Sequence, residues 1–304
     1  MSTTVNQVYI DEFNANLRQL AQQKYARLKD TVQNVSSNAE SYSFDRLGPM
    51  EAVKKEQKIQ PTQEAQLSGP LFDTQFSRRT AIAKTFNVSE YIELEDQIQA
   101  KVAINSGVMQ SMGMAMARAH DDEIIRAMGD DALDGDGNAV PFPDGTGPTG
   151  LNQIVGDGSS PISFDTITEV QERFLENDIQ GEVAKTIVVG PKQIRKLLQL
   201  TEQTSADFVQ REALQRLSQN LIVPNWMGMR WICSTRLLSP GADQIDCYAY
   251  TDRALGMAIN SNMRTFIQQD PAHSYAYAMY AASTYGCVRV EDEHIVKISL
   301  ADTL

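Results

Sequence analysis

Residues 77–96 read SRRTAIAKTFNVSEYIELED, and within them polar and apolar side chains alternate from 80 to 88. A period of two is that of an extended strand with one wet and one dry face. Upstream the chain is broken by Gly48-Pro49, Pro61 and Gly69-Pro70, which no continuous helix tolerates. Downstream, from about 93 to 129, the pattern turns helical, with Ile98, Val102, Met109, Met112, Met116, Ala119 and Ile124 on one stripe. Such a helix spans about 54 Å, longer than a compact domain needs. The reading is a long polar hairpin over about 46–91 that runs into a long helix. The hairpin has too few apolar residues to form a core alone, and a free hairpin edge invites aggregation. It is expected to lie on a neighbouring chain. Gly107 and Gly113 each cost about 1 kcal/mol against Ala inside a helix. With Ser106, Ser111, Ala115 and Ala117 beside them, they suggest a face that another backbone approaches.

Outward from this pair of elements, Val5, Val8, Phe13, Leu17, Leu20, Tyr25, Leu28, Val32 and Val35 recur at helical steps, predicting an amphipathic helix over 5–36. Residues 130–161 form a Gly/Pro/Asp-rich loop. Beyond it helix and strand alternate. A helix over 165–177 is expected to turn Ile167, Val170, Phe174 and Leu175 inward. KTIVV (185–189) reads as a buried strand. Gly190-Pro191 opens a helix with Ile194, Leu197 and Leu198 inside. Thr204 and Asp207 resemble a capping box for a helix reaching Leu217. Strands are expected at 221–223, 229–234 and 245–250, and the segment from about 273 to 300 is strand-rich, with HIVKISL (294–300) alternating.

The 304 residues carry 27 Lys/Arg against 39 Asp/Glu, a formal charge of -12, at 42% hydrophobic content. This is the composition of a soluble globular protein, and no apolar run approaches the roughly 20 residues of a membrane span. The first residues lack the basic and apolar regions of a secretory signal. Cys233, Cys247 and Cys287 are odd in number and lack CxxC spacing, which fits a reducing cytoplasm and small buried hydrophobes. The acidic excess is local: residues 120–182 hold 15 Asp/Glu and only Arg126 and Arg173 as basics. That stretch repels phosphate, so any attraction to DNA falls to Arg18, Lys24, Arg27 and Lys29, which are interleaved with acids.

No motif nominates chemistry. GTGPTG (145–150) fits GxGxxG but follows no buried strand, and Pro148 blocks a backbone donor. DGDGN (134–138) starts like a calcium loop, yet Ala139 stands where a Gly is needed and Gly145 where a Glu is needed. His120, followed by Asp121-Asp122-Glu123, reads as a charged cluster at the solvated end of the long helix. His273 and His294 read as ordinary surface or packing residues. No catalytic, cofactor-binding or metal-ligating residue is assigned. The basic clusters, Lys54-Lys55 with Lys58 and Arg78-Arg79, all fall on the hairpin. They are expected to make salt bridges to a neighbouring subunit, Arg78 and Arg79 with carboxylates from the 120–182 stretch.

The order of these segments resembles the Hong Kong 97 fold of tailed-bacteriophage major capsid proteins. SRRTAIAKTFNVSEYIELED resembles the return strand of that family's extended loop as it enters the spine helix. GDGN followed by GTGPTGLNQIV resembles its Gly-rich passage, and YGCVRVEDEHIVKISL its closing turn and strand. The resemblance implies an α+β chain with an N-terminal arm (1–44), an extended loop (45–94), a peripheral domain (95–155 with 262–304) and an axial α/β domain (156–261). It implies a non-enzymatic shell subunit, without cofactor, that assembles in the host bacterial cytoplasm into hexamers and pentamers around a double-stranded DNA genome. Its partners would be other copies, portal and scaffolding proteins and a decoration protein, with weak non-specific DNA contact and no membrane. Two other readings stand beside it: an encapsulin-like nanocompartment shell, and an α/β enzyme acting through 156–261.

Overall fold

The computed structural model describes residues 23–48, 76–92, 104–147, 150–179, 183–199 and 222–302. The alternating stretch at 80–88 is split between two sheets. Strand β3 (Phe76–Ile82) pairs antiparallel with β2 (Ser41–Leu47), from Ser41 opposite Ile82 to Leu47 opposite Phe76, as a two-stranded ribbon. Strand β4 (Lys84–Ile92) instead pairs with β13 (Ala276–Arg289). The hairpin expected over 46–91 is corrected accordingly: pairing starts at Ser41, and its last strand belongs to the body. The divide falls where the chain crosses Gly286. A Cβ there would stand 2.1 Å from the Ile82 carbonyl oxygen, so only a residue without a side chain lets the ribbon backbone pass.

Helix α1 (Ile104–Gly129) packs on a four-stranded sheet of order β1-β12-β13-β4, where β1 is Gln33–Ser36 and β12 is Leu255–Asp270. Met112, Met116 and Ile124 of the expected stripe are buried, and Ile92, Met112, Met279 and Ala281 form one small core beneath the helix. Nothing in the chain comes within 4 Å of where a Gly113 side chain would stand, so the anticipated close approach is not made by this chain's described residues. The sixteen-residue β12 has no counterpart in the sequence reading. Residues 255–258 are buried on both faces, 259–261 are half-buried and 262–269 are exposed on both, so it shows no alternation.

The second sheet has six strands in the order β7-β14-β11-β8-β10-β9. These are β7 (Ile154–Val155), β8 (Lys185–Val189), β9 (Ile222–Trp226), β10 (Met229–Cys233), β11 (Gln244–Thr251) and β14 (Ile295–Ala301). Strand β8 is central and covered on both faces, hence its unbroken apolar run. On one side Ile187 and Val189 meet α2 (Phe164–Glu176) and α3 (Pro191–Gln199) in a core with Phe174, Leu197, Trp226, Trp231 and Cys247. On the other, Val188 and Ile232 join Leu28, Ile124, Ile125, Met128, Tyr248 and Tyr250 in the layer shared with α1. Each large apolar side chain so buried stabilises by about 1.5–3 kcal/mol.

Ser163 caps α2 by accepting the Thr166 amide at 3.1 Å, as Ser at an N-cap should. Two inward assignments are corrected: Leu175 and Leu198 are exposed, each one residue and hence about 100° round the helix from the buried Phe174 and Leu197. The helix expected over 5–36 ends differently too. Residues 23–28 are not helical, Lys29–Thr31 is a 3-10 turn, and 33–36 are β1, parallel to β12. Leu28 and Val32 are buried all the same, whereas Tyr25 of the expected stripe is exposed; residues 5–22 of that segment, and the capping box at 204–207, lie outside the described residues. The closing segment is shared between layers: β13 lies under α1, whereas β14 pairs with β11 in the six-stranded sheet. A short hairpin of β5 (Ala132–Leu133) and β6 (Ala139–Val140) carries DGDGN.

Candidate functional site

The base of the ribbon is held by a charged knot. Arg289, the last residue of β13, is fully buried. Its Nε donates to Asp292 Oδ1 at 2.7 Å, Nη1 to the Asp130 carbonyl at 2.7 Å, and Nη2 to the carbonyls of Val140 and Pro141 at 3.0 and 2.9 Å. The guanidinium also sits over the Phe142 ring at 5.1 Å, a cation–π contact. The other Asp292 oxygen accepts from Arg79 Nη2 at 2.7 Å, and Arg46 donates to Glu293 at 3.1 Å. Arg46 and Arg79 belong to β2 and β3, so the loop after β13 clamps both strands of the ribbon. Burial and the neighbouring Arg46 and Arg289 push the Arg79 pKa down against the pull of Asp292, and burial dominates.

Arg78 and Arg79 are thus not one patch. Neighbouring residues of a strand face opposite ways, and Arg79 points inward while Arg78 is 65% exposed, paired at 2.8 Å with Asp45 directly across the ribbon. The partner of Arg79 is Asp292 of its own chain, outside the 120–182 stretch. Lys54, Lys55 and Lys58 lie outside the described residues.

A second constellation fastens the N-terminal segment to α1, and here the sequence reading of His120-Asp121-Asp122-Glu123 as solvated is overturned. Asp121 and Glu123 are 1% and 3% exposed. The Asp121 carboxylate accepts the backbone N–H groups of Arg27 and Leu28 at 3.0 and 3.1 Å, and the Gln23 side-chain amide. Burial raises its pKa and those hydrogen bonds oppose the rise. Arg27 donates to the Cys233 carbonyl at 2.5 Å, the Thr31 and Tyr250 hydroxyls meet at 2.6 Å, and Asp122 pairs with Arg236. Glu123 receives Lys84 at 2.8 Å and Arg126 at 3.2 Å. His120 stacks on Tyr285 at 3.8 Å, and Tyr285 on Phe86 at 4.6 Å. Burial, assisted by Lys29, pushes the His120 pKa down to about 4. These groups hold helix, arm and sheets together.

In the DGDGN turn the Asp134 carboxylate accepts the amides of Asp136 and Asn138 and the Asn138 side chain, closing the turn on itself. Among the described residues no group of three or more His, Cys, Asp or Glu is placed to hold a metal ion, and no helix is long and apolar enough to cross a membrane.

Among the described residues, exposed large apolar side chains are scattered singly at Tyr25, Leu175, Leu198 and Leu238 and gather on the projections. Leu47 and Phe76, opposite one another at the ribbon's far end, are 59% and 78% exposed. At the free end of β12 and β13, Met263, Phe266, Ile267 and Tyr275 are about half exposed or more. Clustered exposed apolar side chains of this kind mark interaction surfaces. A long helix on one sheet, a second α/β layer and a projecting ribbon are the architecture of shell-forming proteins with the Hong Kong 97 fold. The profile of the phage capsid protein family matches residues 5–302, and the chain belongs to that family; it is a structural protein, a subunit of the capsid shell. Its fold resembles the capsid protein of cyanophage P-SCSP1u (TM-score 0.70, 14% identity, 100% of this chain and 96% of that one). It is also similar to that of cyanophage Pam1 (0.69, 10% identity, 99% and 98%). The capsid protein of a native GTA particle is similar too (0.68, 12% identity, 98% and 97%). No curated protein matches it in sequence.

Proposed function

We propose that this chain is the principal wall-forming subunit of an icosahedral phage head, built from hexamers and pentamers and closed around double-stranded DNA in the host cytoplasm. The observation that carries the reading is that exposed apolar side chains gather on the elements that leave the body, Leu47 and Phe76 at the ribbon end and Met263, Phe266, Ile267 and Tyr275 at the β12–β13 tip. The exposed Arg78 reaches a carboxylate of the adjacent subunit, and Lys54, Lys55 and Lys58 make further salt bridges of the same kind. The chain divides into the arm (1–44), the extended loop (45–94), the peripheral domain (95–155 with 262–304) and the axial domain (156–261), and β14, hydrogen-bonded to β11, works with the axial layer. The protein performs no catalysis. A portal and a separate scaffolding chain set the geometry of assembly, and a decoration protein binds the finished surface. DNA is retained by enclosure, with weak contact to the wall. Negative-stain microscopy of the expressed protein, alone and with its scaffolding partner, tests this reading: closed shells are expected, and a monodisperse monomer under all assembly conditions would overturn it.

A further inference from the structure

The outer edge of β12 is paired only at its start. Strand β1 covers positions 256–259, and the Asn260 side chain reaches the Ala39 carbonyl at 2.5 Å. From 261 to 270 the strand has β13 on one side and no strand on the other among the described residues. Over roughly 30 Å it therefore presents a row of backbone donors and acceptors with no ladder partner among the described residues. Residues 262–269 are exposed one after another, so side chains on both faces are open. They include Met263, Phe266 and Ile267.

Open edges in monomeric proteins are blunted by Pro, Lys, bulges or short length. Here residues 261–270 contain no Pro and no Lys, with Arg264 the one basic residue, and after an irregularity between Ser261 and Arg264 the register against β13 runs without a shift from Arg264 to Asp270. Such an edge is built to receive a strand.

We propose that in the shell the open edge of β12, residues 261–270, takes a strand from a second copy of this chain by main-chain hydrogen bonding. Met263, Phe266 and Ile267 pack against the incoming strand. The inference rests on the shell reading and deepens it. Stoichiometry selects the occupant: every copy carries the edge, so every copy needs one cover, and in a wall made of this chain another copy is the partner present at that ratio. The contact is heterologous, an edge meeting a different element of the next copy, which lets it propagate round a closed ring.

Hydrogen–deuterium exchange of peptides spanning 261–270, in the free subunit and in purified shells, tests it. Roughly half of these amides face away from β13, since successive N–H groups of an antiparallel strand alternate in direction. Assembly is expected to slow those amides about tenfold or more. Equal, fast exchange in subunit and shell overturns the pairing while leaving the shell reading intact. Protection already present in the free subunit also overturns it, because the cover is then a segment of the same chain. Failure to form particles at all removes the shell reading and the pairing together. A second measurement uses Thr265→Pro and Phe266→Pro. One of these adjacent substitutions removes an amide that bonds β13 and the other an amide on the open edge. The variant that keeps the wild-type melting temperature is the open-edge one, and it is expected to lose shells. Normal shells from that variant refute the proposal.

Discussion

Arg289→Met isolates the knot at the ribbon base. Methionine fills much of the arginine stem's volume, so the change is mainly the loss of a buried guanidinium that makes four hydrogen bonds, to Asp292 and to the carbonyls of Asp130, Val140 and Pro141. A carbonyl left without a partner costs about 1–3 kcal/mol, and the lower end applies here because Asp130 and Pro141 are exposed residues and Val140 is half-buried, so water can reach them. Three carbonyls therefore give about 3 kcal/mol. Asp292 keeps Arg79 at 2.7 Å, so its charge is not stranded, and the full 3–5 kcal/mol of a broken buried pair is an upper bracket. The expected loss is about 3–5 kcal/mol. Urea unfolding of the free subunit reads it through Trp226 and Trp231, both buried in the six-stranded sheet's core. Arg78→Ala is the control, because its exposed pair with Asp45 is worth about 1 kcal/mol or less. If the two variants unfold at the same urea concentration, the knot does not hold the fold and the reasoning fails.

Gly286→Ala places a Cβ 2.1 Å from the Ile82 carbonyl oxygen, and overpacking of this kind costs about 1–3 kcal/mol; a melting temperature equal to wild type would show that the crossing is slack. His120 has a folded pKa of about 4 against 6.5 unfolded. The unfolded chain thus binds more protons between those values, and the contribution of neutral His120 is complete above pH 6.5 and lost as pH falls toward 4. His120→Phe should gain stability relative to wild type on acidification from pH 6.5 to 4, and parallel pH profiles of the two melting temperatures would contradict it. Arg78→Ala should fold normally yet give shells that fall apart at lower salt, whereas Arg79→Ala should destabilise the subunit itself; dynamic light scattering and calorimetry separate the two. With a formal charge of -12, free subunit should bind duplex DNA weakly, with a shallow salt slope near 0.9 per phosphate contacted, and nanomolar binding at physiological salt would reveal an overlooked basic surface.

What sequence could and could not disclose follows from the range of each signal. KTIVV and the Ile167, Val170, Phe174 stripe are local patterns, and they appear where expected. Strand β12 escaped because its environment grades along its length, from buried on both faces at 255–258 to exposed on both at 262–269, which no fixed period represents. The change of partner at Ala83 escaped because a period of two does not say which strand lies alongside; only the missing side chain at Gly286, two hundred residues on, marks the crossing. Arg79 and Asp121 were misplaced for the same reason. A charge in a polar run looks solvated, and its burial is decided by Asp292 and by the arm's backbone amides, groups remote in sequence.

The sharing of Asp292 among ribbon and body has a mechanical side. A pull on the ribbon end at Leu47 and Phe76 is carried by Arg46 and Arg79 into the Asp292–Glu293 loop. From there Arg289 delivers it to the Asp130 carbonyl, one residue past the end of α1. The knot thus ties the ribbon to the C-terminal end of a 26-residue helix, in parallel with the covalent path that runs through Ala83 into β4 and the four-stranded sheet.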